Sequence, residues 1–96
     1  MNIEELKNTY GKRLKIVTVE LSEDEKYKFA VVRPNRHVIM AMAAKKDDLE
    51  AANDVLIKNC VKEGDMDALE DAAVYTKILE TLGEMIGGAK AFITNA

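Results

Sequence analysis

The spacing of apolar positions changes several times along the chain, and each change marks an element. Asn2 followed by Glu5 reads as an N-cap with a carboxylate at N3, and Gly11 is a stop, so residues 3–10 are predicted as a short helix. From Arg13 the chain becomes β-branched: in Leu14-Lys15-Ile16-Val17-Thr18-Val19-Glu20, Leu14 and Ile16 point to one side and Val17, Val19 and Leu21 to the other. Apolar residues on both sides call for cover on both. Ser22-Glu23-Asp24-Glu25-Lys26 is a charged connection of hairpin length, and Tyr27, Phe29 and Val31 then share one face of a second alternating run. Residues 13–33 are therefore predicted as an antiparallel hairpin.

Pro34, the one proline, ends the second strand because it has no N–H for the ladder and holds Arg33 out of the α region. Asn35 is placed to cap a helix over 36–45, in which Val38 pairs with Met42 and Ile39 with Ala43 at i,i+4. Asp47 with Glu50 repeats the capping signature and restarts or continues the helix as far as Gly64, with Leu49, Ala52, Leu56 and Cys60 as its apolar stripe. A last helix is expected at about 66–86, capped by Asp65 or Asp67 and stopped by Gly87-Gly88. Its apolar arc holds Ala68, Ala72, Tyr75, Leu79, Leu82 and Ile86, flanked by Val74, Ile78 and Met85, about 160° of the wheel at roughly 100° per residue. One intramolecular neighbour does not cover so wide an arc. The edge carrying Val74, Ile78, Leu82 and Met85 is accordingly expected to meet another chain. Residues 89–96 read either as a docked strand or as a frayed end. The fold class is α+β: a single domain over 1–96, with the β-hairpin of 13–33 packed against three or four α-helices in 35–88.

At 96 residues and 48% hydrophobic, the chain can bury one modest core. Charge is unevenly spread. The first 46 residues hold ten Lys/Arg and six Asp/Glu (10 − 6 = +4), and the last 50 hold four and eleven (4 − 11 = −7), which sum to the net −3. Such a chain can pair its ends within one molecule or between copies, so a homo-oligomer is a natural expectation. The acidic total argues against a general nucleic-acid binder, which needs a basic surplus on its contacting face. One cysteine, Cys60, rules out an internal disulfide framework and fits a reducing compartment. No signal-like N-terminus and no apolar run near the roughly 18 residues of a membrane span is present, so a cytoplasmic location is expected.

No constellation calls for catalysis. Cys60 and His37 are the sole members of their types, and Cys60 falls on the apolar stripe, where a free cysteine behaves as a small hydrophobe. One His and one Cys barely begin a metal set. Asp65-Met66-Asp67-Ala68-Leu69-Glu70-Asp71 lacks the internal glycine and distal glutamate of a calcium loop, and its acids suit the positive end of a helix dipole instead. The most site-like cluster is Arg33-Pro34-Asn35-Arg36-His37: Arg33 and Arg36 beside a helix N-terminus can bind an anion, a phosphate or a partner's carboxylate. Alternatively they pair with the protein's own acidic helices or remain solvated. Methionines such as Met40, Met42, Met66 and Met85 either line an adaptable binding surface or fill core gaps. The expected function is non-catalytic, with no cofactor and no metal.

An apolar strand running into Arg33-Pro34-Asn35-Arg36, then a helix, then Leu56-Ile57-Lys58-Asn59-Cys60-Val61 and a turn at Glu63-Gly64-Asp65, resembles the small tail-assembly chaperone-like proteins of tailed phages and prophages. The similarity spans about Phe29 to Leu82 and leaves most of the hairpin outside. It implies a binder that holds a tail-tube or tape-measure protein during assembly, in the bacterial cytoplasm or on the virion. A small nucleic-acid-associated regulator using Arg33, Arg36, Lys45 and Lys46 is the alternative, and would gather those residues on one exposed face.

Overall fold

The computed structural model describes residues 1–96. It is an α+β domain in the order α1 (Ile3–Tyr10), β1 (Leu14–Glu20), β2 (Lys26–Val32), α2 (Arg36–Ala43), α3 (Leu49–Cys60), β3 (Val61–Gly64) and α4 (Ala72–Gly87), with 3₁₀ turns at Gly11–Arg13 and Met66–Glu70. The caps follow side-chain chemistry. Asn2 accepts from the Glu5 N–H at 3.1 Å, Asn35 from the Val38 N–H at 3.0 Å and Asp48 from the Ala51 N–H at 3.0 Å, each satisfying an amide that the helix leaves open.

The strands form an antiparallel sheet in the order β1-β2-β3, so β1 and β3 are its edges. Leu14 pairs with Val32, Val17 with Phe29 and Glu20 with Lys26. The flanking bonds fix the parity of β1: the Arg33 N–H donates to the Arg13 carbonyl at 3.0 Å and the Leu21 N–H to the Glu25 carbonyl at 2.9 Å. Odd-numbered residues of β1 therefore turn their backbone toward β2, and even-numbered ones turn it outward. One face of the sheet contributes Val19, Phe29, Val31 and Val61 to the core, where they meet Val38, Leu56, Ile57 and Cys60 with Val74, Ile78 and Leu82 of α4. On the other face Ala30 and Val32 are buried, and α1 sets Ile3 and Lys7 beside Leu14 and Ile16. This second face is covered only at the Leu14–Val32 end, and Ile16 stays 41% exposed.

Three expectations change. The helix predicted to reach Gly64 stops at Cys60, and Val61–Gly64 pairs with β2 as a third strand, so the part after Pro34 is not wholly helical. The strand meets a backbone requirement: without it the outward amides of β2 would lie unpaired beside a packed core. The last helix begins at Ala72, not near 66, because Asp65 is already engaged: its Oδ2 accepts from the Lys28 N–H at 2.8 Å. Asp71 caps instead, its Oδ1 accepting from the Ala73 N–H at 2.8 Å. Asp48 rather than Asp47 opens α3, and Leu49, placed on the apolar stripe, is 75% exposed because it precedes the first buried turn. Residues 89–96 form no strand; Phe92 and Ile93 project into solvent.

Gly64 is the one glycine that the packing demands. Its φ is +136°, and a Cβ there would stand 2.2 Å from the Lys28 carbonyl oxygen and 2.7 Å from the Phe29 Cα. Gly83 lies within α4 with nothing near its missing Cβ. Gly64→Ala is expected to lose at least ~2 kcal/mol, lowering the melting temperature by about 8–16 °C, whereas Gly83→Ala should gain up to about 1 kcal/mol from helix propensity. Thermal denaturation of the two variants checks both signs.

Candidate functional site

The residues singled out by sequence part company in the structure. Val74, Ile78 and Leu82 have no exposed surface and sit at the centre of the core. The edge expected to meet another chain is thus the inward line of α4, and three of its four residues are unavailable to a partner. Ala68, which the expected arc includes, lies in the 3₁₀ turn and off the helical wheel. With α4 beginning at Ala72, Val74, Ile78, Leu82 and Met85 face the sheet, while Tyr75 and Leu79 are half-buried beside them. Tyr75 donates its hydroxyl to Asp54 Oδ1 of α3 at 3.1 Å. Desolvation first, and then the bond to Asp54, raise the pKa of its phenol.

Met85, near the end of that line, is half-buried and opens onto a groove. The groove has a volume of about 410 Å³ and lies between the β2–α2 junction and the last turn of α4. Arg33, Asn35 and Arg36 stand along it beside the apolar Ile39, Met85 and Ile86. The junction is held on both sides. The Arg33 N–H remains in the ladder to Arg13, and the Arg33 carbonyl accepts from Arg13 Nη2 at 2.8 Å. Pro34 then turns the chain, and Asn35 caps α2 so that Arg36 occupies its first turn.

Arg33 and Arg36 are both exposed, and neither pairs with a carboxylate: the ion pairs of the protein are Lys26–Glu20 at 3.8 Å and Lys77–Glu80 at 3.1 Å. Pairing with the protein's own acidic helices is therefore not their role in this structure. Ile39 and Ile86 are 39% and 43% exposed, and Met40 on the same helix is 59% exposed. The arrangement can receive a segment that offers both carboxylates and apolar side chains. Sequence reasoning named the two arginines and Met85 separately and did not join them. Ile39 and Ile86 were the missing signal: each lies on an apolar line next to the line that its helix buries.

The other candidates are structural. Cys60 is 1% exposed and His37 is exposed, so the two form no nucleophilic pair. Burial pushes the Cys60 thiol above its ordinary 9.0, with Lys62 and Arg13 pulling weakly the other way. No three His, Cys, Asp or Glu side chains converge as a metal set. A second, wider depression of about 590 Å³ runs along Tyr27 and Gly64–Ala68, but Asp65 is held there by the Lys28 amide. Tyr27 beside it titrates above its usual range, from desolvation and then from Glu25.

The sequence matches no protein-family model and no curated protein. The structure is similar to that of an uncharacterised protein, rbstp2171, from Bacillus stearothermophilus, with a TM-score of 0.64 and 19% sequence identity over 98% of this chain and 100% of that one. At that identity the likeness establishes the fold. No helix is long and apolar enough to cross a membrane.

Two expectations test these placements. Ile78→Asp should unfold the protein, because an unpaired carboxylate at a fully buried site costs several kcal/mol against a total of about 5–14 kcal/mol for a chain of this size, whereas Met85→Asp should keep a native circular dichroism spectrum. Cys60 should label slowly with thiol reagents in the folded state. Because its folded pKa is raised, its contribution to stability is complete below the unfolded pKa and is lost as pH rises through the folded one. Cys60→Ala should therefore show a smaller loss of stability above about pH 9 than the parent chain, measured by urea unfolding.

Proposed function

We propose that this protein is a non-catalytic binding accessory which captures a protein partner in the groove between the β2–α2 junction and the end of α4. The observation that carries this reading is the pairing of two exposed, unpartnered guanidinium groups with exposed Ile39 and Ile86 in one groove. Guanidinium forks hold carboxylates in a defined geometry, and the adjacent Ile39, Met85 and Ile86 side chains offer apolar area to desolvate. The last turn of α4 favours the same cations through the negative end of its dipole. Complementary charge would speed the encounter and the apolar contacts would slow release.

The resemblance of the Arg33–Arg36 junction and the Leu56–Asp65 stretch to phage tail-assembly chaperones suggests the biological setting. The partner would be a tail-tube or tape-measure protein, held during assembly in the cytoplasm of a bacterial host or on the virion. The groove supports this reading over the nucleic-acid regulator because Ile39, Met85 and Ile86 line it and its cations are few, whereas phosphate backbones are held by many cations along a polar track.

Co-expression with the products of the neighbouring open reading frames, followed by titration calorimetry on the purified partner, tests the proposal. The wild type should bind, and Arg33→Glu with Arg36→Glu should weaken binding about tenfold or more, roughly 1.4 kcal/mol, without loss of fold. Wild-type affinity in the doubly reversed protein would move the site elsewhere. Binding to duplex DNA at about 150 mM salt should be no tighter than roughly micromolar; nanomolar, sequence-selective binding would favour the regulator.

A further inference from the structure

β1 is a seven-residue edge strand with a nearly unguarded outer side. Its even-numbered residues turn their backbone outward, and of these the Leu14 N–H alone has a partner, the Gly11 carbonyl. The outward N–H groups of Ile16, Thr18 and Glu20, with the carbonyls of Leu14, Ile16, Thr18 and Glu20, form a free ladder. The strand contains no proline or glycine, and Ile16-Val17-Thr18-Val19 is uniformly β-branched. Beside the edge, Ile16 and Ile3 are each 41% exposed and share an apolar groove with Leu14.

Charge on this edge is polarised. Lys7, Lys12, Arg13 and Lys15 gather at its start, and Glu20, Glu23, Asp24 and Glu25 at its end and in the following turn, where Lys26 offsets one of the four acids by pairing with Glu20. An antiparallel neighbour of the same sequence would set each basic end against an acidic one, twice over. A parallel neighbour would oppose like charges.

We infer that β1 pairs antiparallel with β1 of a second copy about a two-fold axis at Val17, joining two three-stranded sheets into one continuous sheet. The parity of the edge restricts the register, since hydrogen-bonded pairs must join even residues to even residues. Centring the axis on Val17 overlaps the whole strand. Leu14 then faces Glu20 of the second copy, Ile16 faces Thr18, and Val17 faces itself, with about six backbone hydrogen bonds formed. Glu20, which pairs with Lys26 of its own chain at 3.8 Å, would then stand at the basic end of the second copy, next to its 3₁₀ turn with Lys12 and Arg13. This contact goes beyond the partner groove, which lies at Arg33 and α4.

Light scattering and sedimentation on the full chain at roughly 10–100 µM test the contact. The expected mass is twice the 10.7 kDa of one chain, falling to one chain as salt is raised. Thr18→Pro removes an outward donor and leaves the bonds to β2 untouched, so it should give a folded monomer. Should that variant fail to fold, Glu20→Lys decides: it should weaken dimerisation about tenfold with an unchanged circular dichroism spectrum. In a Cys60→Ala background, Val17→Cys should oxidise to a disulfide-linked dimer, because residue 17 meets its own copy as a close non-hydrogen-bonded pair. A wild type that stays monomeric at 100 µM overturns the inference. So does a folded Thr18→Pro or Glu20→Lys variant that dimerises as the wild type does, or a Val17→Cys protein that dimerises without cross-linking. Pairing of this edge with a foreign segment in place of a second copy would appear as a monomeric wild type and would equally overturn it.

Discussion

The close approach of β3 to β2 at Gly64 is the constraint on which the rest of the domain hangs. Two hydrogen bonds join the strands just past it: the Asp65 N–H donates to the Lys28 carbonyl at 3.0 Å, and the Asp65 carboxylate accepts from the Lys28 N–H at 2.8 Å. The Lys28 carbonyl that accepts the first is the group a Cβ at position 64 would strike. This clasp sets where α3 ends and where the chain leaves the sheet toward α4. The Asp65 carboxylate is drawn into the clasp, so Asp71 must open α4, and the line Val74, Ile78, Leu82 is thereby turned onto the sheet.

The core assembled in this way is small and apolar throughout, with no buried polar or charged residue. Specificity therefore comes from shape and backbone pairing instead of buried polar networks. Phe29, Ile78 and Leu82 are fully enclosed, and removing most of one such side chain would cost about 2–5 kcal/mol, a large share of the stability a domain of this length can hold. Little stability remains for tolerating further unpaired groups. No buried side-chain polar atom is left without a partner, and the groups that stay unpartnered within the chain, Arg33 and Arg36 at one end and the outer backbone of β1 along one side, are exposed to water.

Much of the fold was legible because local rules governed it. The first helix, the hairpin, the stop at Pro34 and the cap at Asn35 follow from side chains acting on their own neighbourhood, and sequence spacing reports such effects directly. β3 was not legible because a four-residue strand holds too little periodicity, and its existence depends on amides of β2 some thirty residues earlier. The orientation of α4 failed for the same reason: the engagement of Asp65 by Lys28 is a long-range bond that no window around the helix contains. In the candidate site, the arginines could be named from their setting beside a helix start. Their juxtaposition with Met85 and Ile86 required knowing where α4 ends in space.

The two open features stand in a definite geometric relation. The Arg33–Arg36 groove lies at the end of the sheet where Arg13 meets Arg33, which is also the basic end of β1. A two-fold axis at Val17 would set that end of one copy beside the Glu20 end of the other, so the two grooves would lie at opposite ends of the joined sheet and present the same chemistry twice. A rim charge pair contributes little alone, up to about 1 kcal/mol each. Two linked grooves engaging two equivalent segments of one ligand would gain from effective concentration, raising overall affinity by roughly 10²–10⁴ without any new contact. Weak individual grooves would also keep such binding reversible: a partner that withdrew one of its segments would leave a single groove engaged, and release would follow at the rate of the weak site.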